Sequence, residues 1–297
     1  MIQYYIKSNH EMTELANDSI DCVVTSPPYN QGIKYGGLYD DNKPWSEYIA
    51  EISKSATEIF RVMKPGAFLW LNTMDKSDDL FKTARLTDAF IKIGFVPRQR
   101  FIWHKFNGNP CSAGFTFKNN YEYITLFSKG VAVDPHIDKY LIGIPASDRY
   151  MKDVRHDETL QERARFYGLP LADRGSVWSL YTAPKNDFSV TDGEVEHNAE
   201  FPVELPYFCI RSCCYGKGKF RVLDPWLGTG TTLVAAKMAG SNPYIRDGKT
   251  ETADIDAFGY ELDPAYEPTI LKKLAQPLPT LRIPEDPIRR KQVASYW

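Results

Sequence analysis

The sequence predicts an α/β protein with a mostly parallel sheet. Short β-branched runs alternate with amphipathic stretches. Two of those runs end in loops of unusual chemistry, one proline-bracketed and one glycine-lined. The composition, 43% hydrophobic and 25% charged over 297 residues, is that of a globular core. Collagen, coiled coil and wholesale disorder are excluded on that composition, and the length predicts one large domain or two small ones.

The first clear element is Ser19–Thr25, a buried strand stopped by Ser26-Pro27-Pro28-Tyr29, because two prolines cannot continue a ladder. A glycine-rich stretch runs from Gln31 to Tyr39. Trp45–Met63 carries apolar residues at helical spacing (Tyr48, Ile49, Ile52, Ala56, Ile59, Phe60), and Lys64-Pro65-Gly66 is expected to end that helix. Ala67–Asn72 reads as a strand, Ala84–Ile93 as a helix closed by Gly94, and Arg98–His104 and Glu122–Phe127 as strands. From about 130 to 195 apolar periodicity fades and charges of both signs crowd together, which reads as an inserted recognition or accessory region. Phe201–Cys214 returns to a helical pattern, Phe220–Asp224 is a strand, Thr231–Ala239 a helix, and Gly259–Glu261 ends a further strand. The tail from Pro277 is proline-rich, ends in basic residues and is expected to wrap the surface.

The longest apolar run, Ala67–Leu71, is too short to span a membrane, and the first residues lack the pattern of a secretory signal. Five cysteines without regular spacing point to a reducing cytoplasm rather than a disulfide framework. A net charge of −2 argues against nonspecific coating of nucleic acid but leaves room for a local basic groove.

Val222 to Thr232 reads strand, glycine loop, helix start, the place where α/β sheets bind ligands. A phosphate-binding loop needs a lysine before the Ser/Thr, and a dinucleotide fingerprint needs a third glycine where Leu233 stands. S-adenosylmethionine, a sulfonium without phosphate, suits acidic residues instead. Asp224 can face its cationic side, and Glu261 can accept both ribose hydroxyls.

Ser26-Pro27-Pro28-Tyr29 is the sharper signal. Proline fixes φ and removes donors, so acceptors project locally. An exocyclic amine is a poor nucleophile because its lone pair is delocalised into the ring. The Ser26 hydroxyl and the Pro27 carbonyl can accept its two N–H groups and free that lone pair, while Tyr29 offers a face for a flipped base.

With these residues in place, the chain resembles the amino-methyltransferases of DNA, in the permuted class whose catalytic motif precedes its cofactor motif. The matching pieces are Thr25 to Asn30, Arg61 to Gly66, Ile102 to Lys105, Glu122 to Lys129, Val177-Trp178, His197 to Pro202, Asp224 to Thr232 and Phe258 to Glu261. The resemblance implies a Rossmann-like S-adenosylmethionine-dependent methyltransferase fold with a seven-stranded sheet. It implies a catalytic half at 1–129, a target-recognition region at 130–195 and a cofactor-binding half at 196–297. Catalysis falls to Ser26, Pro27, Pro28 and Tyr29. Cofactor contacts fall to Thr25, Asn30, His197, Phe201, Pro202, Asp224, Pro225, Trp226, Gly228, Gly230, Thr231, Thr232 and Glu261, with no metal. The expected partners are double-stranded DNA and a cognate restriction endonuclease, and the expected state is monomer or homodimer.

Two departures stand out: Trp226 and Thr229 replace the family's usual Phe and Ser, and Ser241–Ala257 looks like an insertion able to cover the adenine or contact a partner. In the family, Ser before Pro-Pro favours cytosine N4 over adenine N6. A ring-carbon methyltransferase would need Cys111 as nucleophile, but Pro110-Cys111 lies off any strong motif. Cys209, Cys213 and Cys214 read as core rather than metal ligands. Lys105, Arg100 and Lys118 read as solvated charge before phosphate contacts. A catalytically inactive DNA-binding subunit remains the rival of another class, although Ser26 to Tyr29 and the loop glycines are all retained.

Overall fold

A computed structural model describes residues 1–33, 38–76, 78–107, 120–131, 144–145, 171–172, 176–183, 200–214, 218–246 and 249–282. In chain order they form β1 (Ile2–Ile6), β2 (Ile20–Thr25), α1 (Trp45–Val62), β3 (Met63–Thr73), α2 (Lys82–Ile93), β4 (Phe95–Lys105) and β5 (Tyr121–Lys129). Two short pairs, β6 (Ile144–Pro145) with β7 (Leu171–Ala172) and β10 (Tyr244–Arg246) with β11 (Lys249–Glu251), are antiparallel. The remaining elements are β8 (Val177–Leu180), α3 (Glu204–Cys214), β9 (Lys219–Asp224), α4 (Thr231–Ser241), β12 (Asp254–Glu261), a 3-10 turn (Pro264–Tyr266) and α5 (Glu267–Ala275).

Among the described residues one sheet of eight strands is formed, in the order β1-β12-β9-β2-β3-β5-β4-β8. Its first five strands are mutually parallel, β5 is antiparallel to both β3 and β4, and β8 runs parallel to β4. The sheet thus has one strand more than the seven expected. Val177–Leu180, which the sequence offers only as the pair Val177-Trp178, continues the sheet past β4.

Side-chain alternation along the strands makes two cores. Cys22, Val24, Phe68 and Trp70 face α3 and α4, whereas Val23, Leu69 and Leu71 meet Tyr48, Ile52, Ala56 and Ile59 of α1. The i, i+4, i+8, i+11 spacing of those α1 residues is why this segment is a helix with one buried stripe. Cys22, Cys209, Cys213 and Cys214 are buried free thiols, and the Trp70 indole donates to Cys213 Sγ at 3.3 Å. Among the described residues no acidic, histidine and cysteine cluster could hold a metal ion, and no helix is long and apolar enough to cross a membrane.

Several boundaries differ from the sequence expectation. Chain direction changes at Met63, which already pairs with Ile20, so Lys64-Pro65-Gly66 lies inside β3 beside an irregularity in the ladder rather than in a separate turn. The helix expected from Phe201 starts at Glu204, which leaves Phe201 and Pro202 outside the helix. The segment 241–257 resolves into the end of α4, the β10–β11 hairpin and the start of β12. That hairpin joins β12 at Asp254, the opposite end of the strand from Glu261. Of the tail, Leu281 packs on the core and the Arg282 amide donates to Glu204 at 2.6 Å, as a surface wrap requires. Residues 283–297 lie outside the described part.

Candidate active site

β2 and β9 are neighbours at the centre of the parallel half, yet their chain continuations leave in opposite directions, β2 towards β3 and β9 towards β12. This is a topological switch point, where the strands' carboxyl ends leave a crevice. A cleft of about 300 Å³ opens there. It is lined by Ser26, Pro27, Pro28 and Tyr29 of one loop, by Pro225, Trp226, Gly228 and Thr231 of the other, and by Phe201 and Glu261. The proline loop and the glycine loop, about two hundred residues apart in sequence, therefore share one cavity.

The proline loop is fixed from beneath. Ser26 Oγ donates to Tyr29 Oη at 2.8 Å, and Tyr29 Oη donates to Glu122 Oε2 at 2.9 Å. Asn72 Nδ2 donates to both Tyr29 Oη (2.8 Å) and Glu122 Oε2 (2.6 Å). Lys105 Nζ completes the group at 2.6 Å from Glu122 Oε1. Tyr48 Oη holds the Pro28 carbonyl at 2.8 Å, and the buried Lys82 ammonium holds the Tyr29 and Asn30 carbonyls at 2.8 and 3.1 Å. Asn30 takes a left-handed φ of 52°, costly for a residue with a Cβ. Its side chain offsets that by bonding the Lys43 carbonyl and amide, while the buried Asp41 carboxylate collects the amides of Asn30, Gln31 and Ile33.

The glycine loop turns at Gly228 (φ 54°) and Gly230 (φ 88°), conformations that side chains disfavour. Gly228 N donates to Glu261 Oε2 at 2.7 Å, and Asp263 N donates to Glu261 Oε1 at 2.9 Å. Burial pushes the Glu261 carboxyl up to about 7 against those two amides. Asp224 lies behind the loop, not on the cleft surface. Its carboxylate accepts from Thr25 Oγ1 (2.6 Å), Thr232 Oγ1 (2.5 Å) and the Trp226 amide (3.1 Å). Burial pushes it, too, up to about 7, although all three donors favour the charged form.

Thr25, Thr232 and Asp224 thus form one buried cluster that joins the two motifs. Asn30 shapes the back of the proline loop, whereas Pro202 lines a neighbouring pocket with Pro277 and Arg282 and not this cleft. His197 lies outside the described residues, as do Cys111 and Lys118. Lys105, expected as solvated charge, is instead the partner of Glu122. Arg100 lies over the Tyr123 ring at 5.2 Å.

Sequence reasoning misses several members. Ser8, Asn9 and His10 follow β1 and line the cleft; Asn9 bonds the Pro225 carbonyl at 2.6 Å and accepts from Ser55. Their signal is the Ile2, Tyr4, Ile6 alternation ending in a polar run. Lys273 of α5 is buried, donating to Thr229 Oγ1 (2.6 Å) and Thr231 Oγ1 (3.1 Å) and ion-paired with Glu200. A lysine near the chain's end carries no local signal of that placement.

Comparison with known proteins agrees with this architecture. The chain is 26% identical over 317 residues to type II methyltransferase M.MthZI of Methanothermobacter thermautotrophicus, covering 97% of this chain and 79% of that protein. It is 26% identical over 326 residues to M.MjaI of Methanocaldococcus jannaschii, covering 92% and 94%. The structure described as PvuII DNA methyltransferase (cytosine-N4-specific) superposes with a TM-score of 0.62 at 18% identity, covering 94% of this chain and 88% of that one. A structure described as a putative DNA modification methylase of Thermus thermophilus, complexed with S-adenosyl-L-methionine, superposes with a TM-score of 0.57 at 23% identity, covering 95% of this chain and 96% of that one. The N6/N4 DNA methylase model matches residues 20–272, from β2 into α5, and the chain belongs to that DNA methylase family.

Proposed function

We propose that the protein transfers a methyl group from S-adenosylmethionine to the exocyclic amine of a flipped base in double-stranded DNA, with cytosine N4 as the target. The observation that carries this reading is the cleft shared by Ser26-Pro27-Pro28-Tyr29 and the glycine loop.

The residues fit the cofactor. Phe201, Trp226 and Tyr266 give the cleft apolar walls, and Glu261 presents a carboxylate whose two amide donors leave further lone pairs for a ribose diol. No lysine stands in the loop where a phosphate would require one. S-adenosylmethionine supplies an electrophilic methyl on a sulfonium. The chain's residues do the rest. Ser26 Oγ and the Pro27 carbonyl accept the amine's hydrogens, the nitrogen lone pair forms the new N–C bond as the S–C pair returns to sulfur, and the surplus proton leaves the nitrogen for solvent. Because the nitrogen becomes cationic first, no strong base is needed.

Cytosine is favoured by Ser26, a short acceptor where a longer Asp or Asn would serve adenine. Residues 130–195 are proposed to read the target sequence, with 1–129 and 196–297 as the catalytic and cofactor halves. A restriction endonuclease of matching specificity and a cytoplasmic location fit the type II relatives. Incubation of purified protein and S-adenosylmethionine with plasmid DNA, followed by nucleoside mass spectrometry, tests the reading. N4-methyldeoxycytidine is expected. N6-methyldeoxyadenosine would overturn the base assignment, and neither product would favour an inactive DNA-binding subunit.

A further inference from the structure

The direction of the hydrogen bonds beneath Ser26 is set at one residue. Glu122 is buried, and as a carboxylate it can only accept. Tyr29 Oη, 2.9 Å away, must therefore donate its single proton to Glu122. The Tyr29 oxygen is then left as an acceptor, and it receives from Asn72 Nδ2 and from Ser26 Oγ. Ser26 has one proton, and it is spent inward. Only lone pairs of Ser26 Oγ remain to face the cleft.

We infer that Glu122, acting through Tyr29, is the positioning residue that makes Ser26 an acceptor and so tunes the site to a substrate that donates, an amine rather than a carbonyl. Lys105 at 2.6 Å supplies the counter-charge, and Asn72 at 2.6 Å supplies a second donor to the same carboxylate. With a glutamine at position 122 the amide NH2 can turn towards Tyr29. The Tyr29 proton can then point to Ser26, and the serine proton can point into the cleft, where it repels the N–H of an incoming amine. This inference rests on the proposed amine methylation, and its test is separable from that of the reaction.

Wild-type methylation of DNA tests the reaction; ratios among variants test the role of Glu122. Glu122→Gln is expected to lower the single-turnover rate about tenfold with the dissociation constant for S-adenosylmethionine unchanged. In a Tyr29→Phe background, where the relay is already cut, the same substitution is expected to cost nothing more. A wild-type rate for Glu122→Gln, or an undiminished further cost in Tyr29→Phe, would overturn the inference. Should Glu122→Gln fail to fold, Tyr29→Phe alone decides: a rate near wild type overturns the role, and a drop of about tenfold with intact cofactor binding supports it.

Discussion

The Thr25 hydroxyl donates to Asp224 at 2.6 Å across 199 residues of chain, tying the end of β2 to the end of β9. One buried carboxylate therefore sets the distance between the proline loop and the glycine loop. Thr25→Val removes a donor from a buried charge-capable group and is expected to cost about 1–3 kcal/mol in urea unfolding. The pH dependence has a definite sign. Burial raises Asp224 to about 7 in the folded protein, above an unfolded value of about 4. The stability this gives is complete below pH 4 and is lost as the pH rises to about 7. The fall in Tm between pH 5 and pH 8 should be smaller in Asp224→Asn than in wild type; an equal fall would contradict the assignment.

Glu261, raised in the same way, is expected to add a pH dependence of ligand binding to its own effect on folding. Burial holds it up to about 7, and only the carboxylate offers acceptors on both oxygens to a diol. S-adenosylmethionine should therefore bind more tightly as pH rises from 6 to 8, by roughly tenfold, following the ionised fraction. Titration calorimetry at the two pH values checks this. Glu261→Gln should bind weakly at both, with the pH dependence flattened.

Much of this site is readable in the sequence, for a physical reason. Proline and glycine act locally, so Pro27-Pro28 and Gly228-Thr229-Gly230 announce special backbone wherever they occur. What cannot be read is what lies beneath them. Glu122 reads as one more polar residue at a strand start, and its reach to Tyr29 depends on β5 pairing with β3 in a register that sets Asn72 opposite Ile124. Asp224 reads as a ligand for a cation because its motif sits at the strand end, whereas the strand's pleat turns its side chain into the β2–β9 seam. The helix start is misplaced to Phe201 because apolar spacing cannot tell a helix face from a cleft wall.

Lys82 illustrates a group whose burial costs stability and serves the loop. It opens α2, where the helix dipole disfavours a cation, and its ammonium meets only the carbonyls of Tyr29 and Asn30 among the described residues. Desolvation accordingly lowers its pKa. Lys82→Met should leave cofactor affinity within about twofold while slowing methyl transfer about tenfold, because the two carbonyls it anchors lie in the loop that carries Ser26. Rapid-quench single-turnover assays at saturating cofactor separate the two effects. Loss of cofactor affinity with an unchanged transfer rate would refute this division.

Lys273 should show the opposite division. Its ammonium is 3% exposed and bridges Thr229, Thr231 and Glu200, so it fastens the glycine loop to the segment that carries Phe201. Methionine can fill the volume but makes none of these bonds, and the Glu200 carboxylate loses this buried ammonium. Removing one partner of such a pair costs about 3–5 kcal/mol when both are fully buried. Glu200 keeps 20% of its side chain exposed, so about 2–3 kcal/mol is expected for Lys273→Met. The loosened loop should raise the dissociation constant for S-adenosylmethionine at least tenfold, while the transfer rate at saturating cofactor stays near wild type. Lys273→Arg keeps the charge but not the compact geometry, and should recover stability more fully than affinity. Equal recovery of both would mean that the charge alone, not its placement between the two threonines, holds the loop.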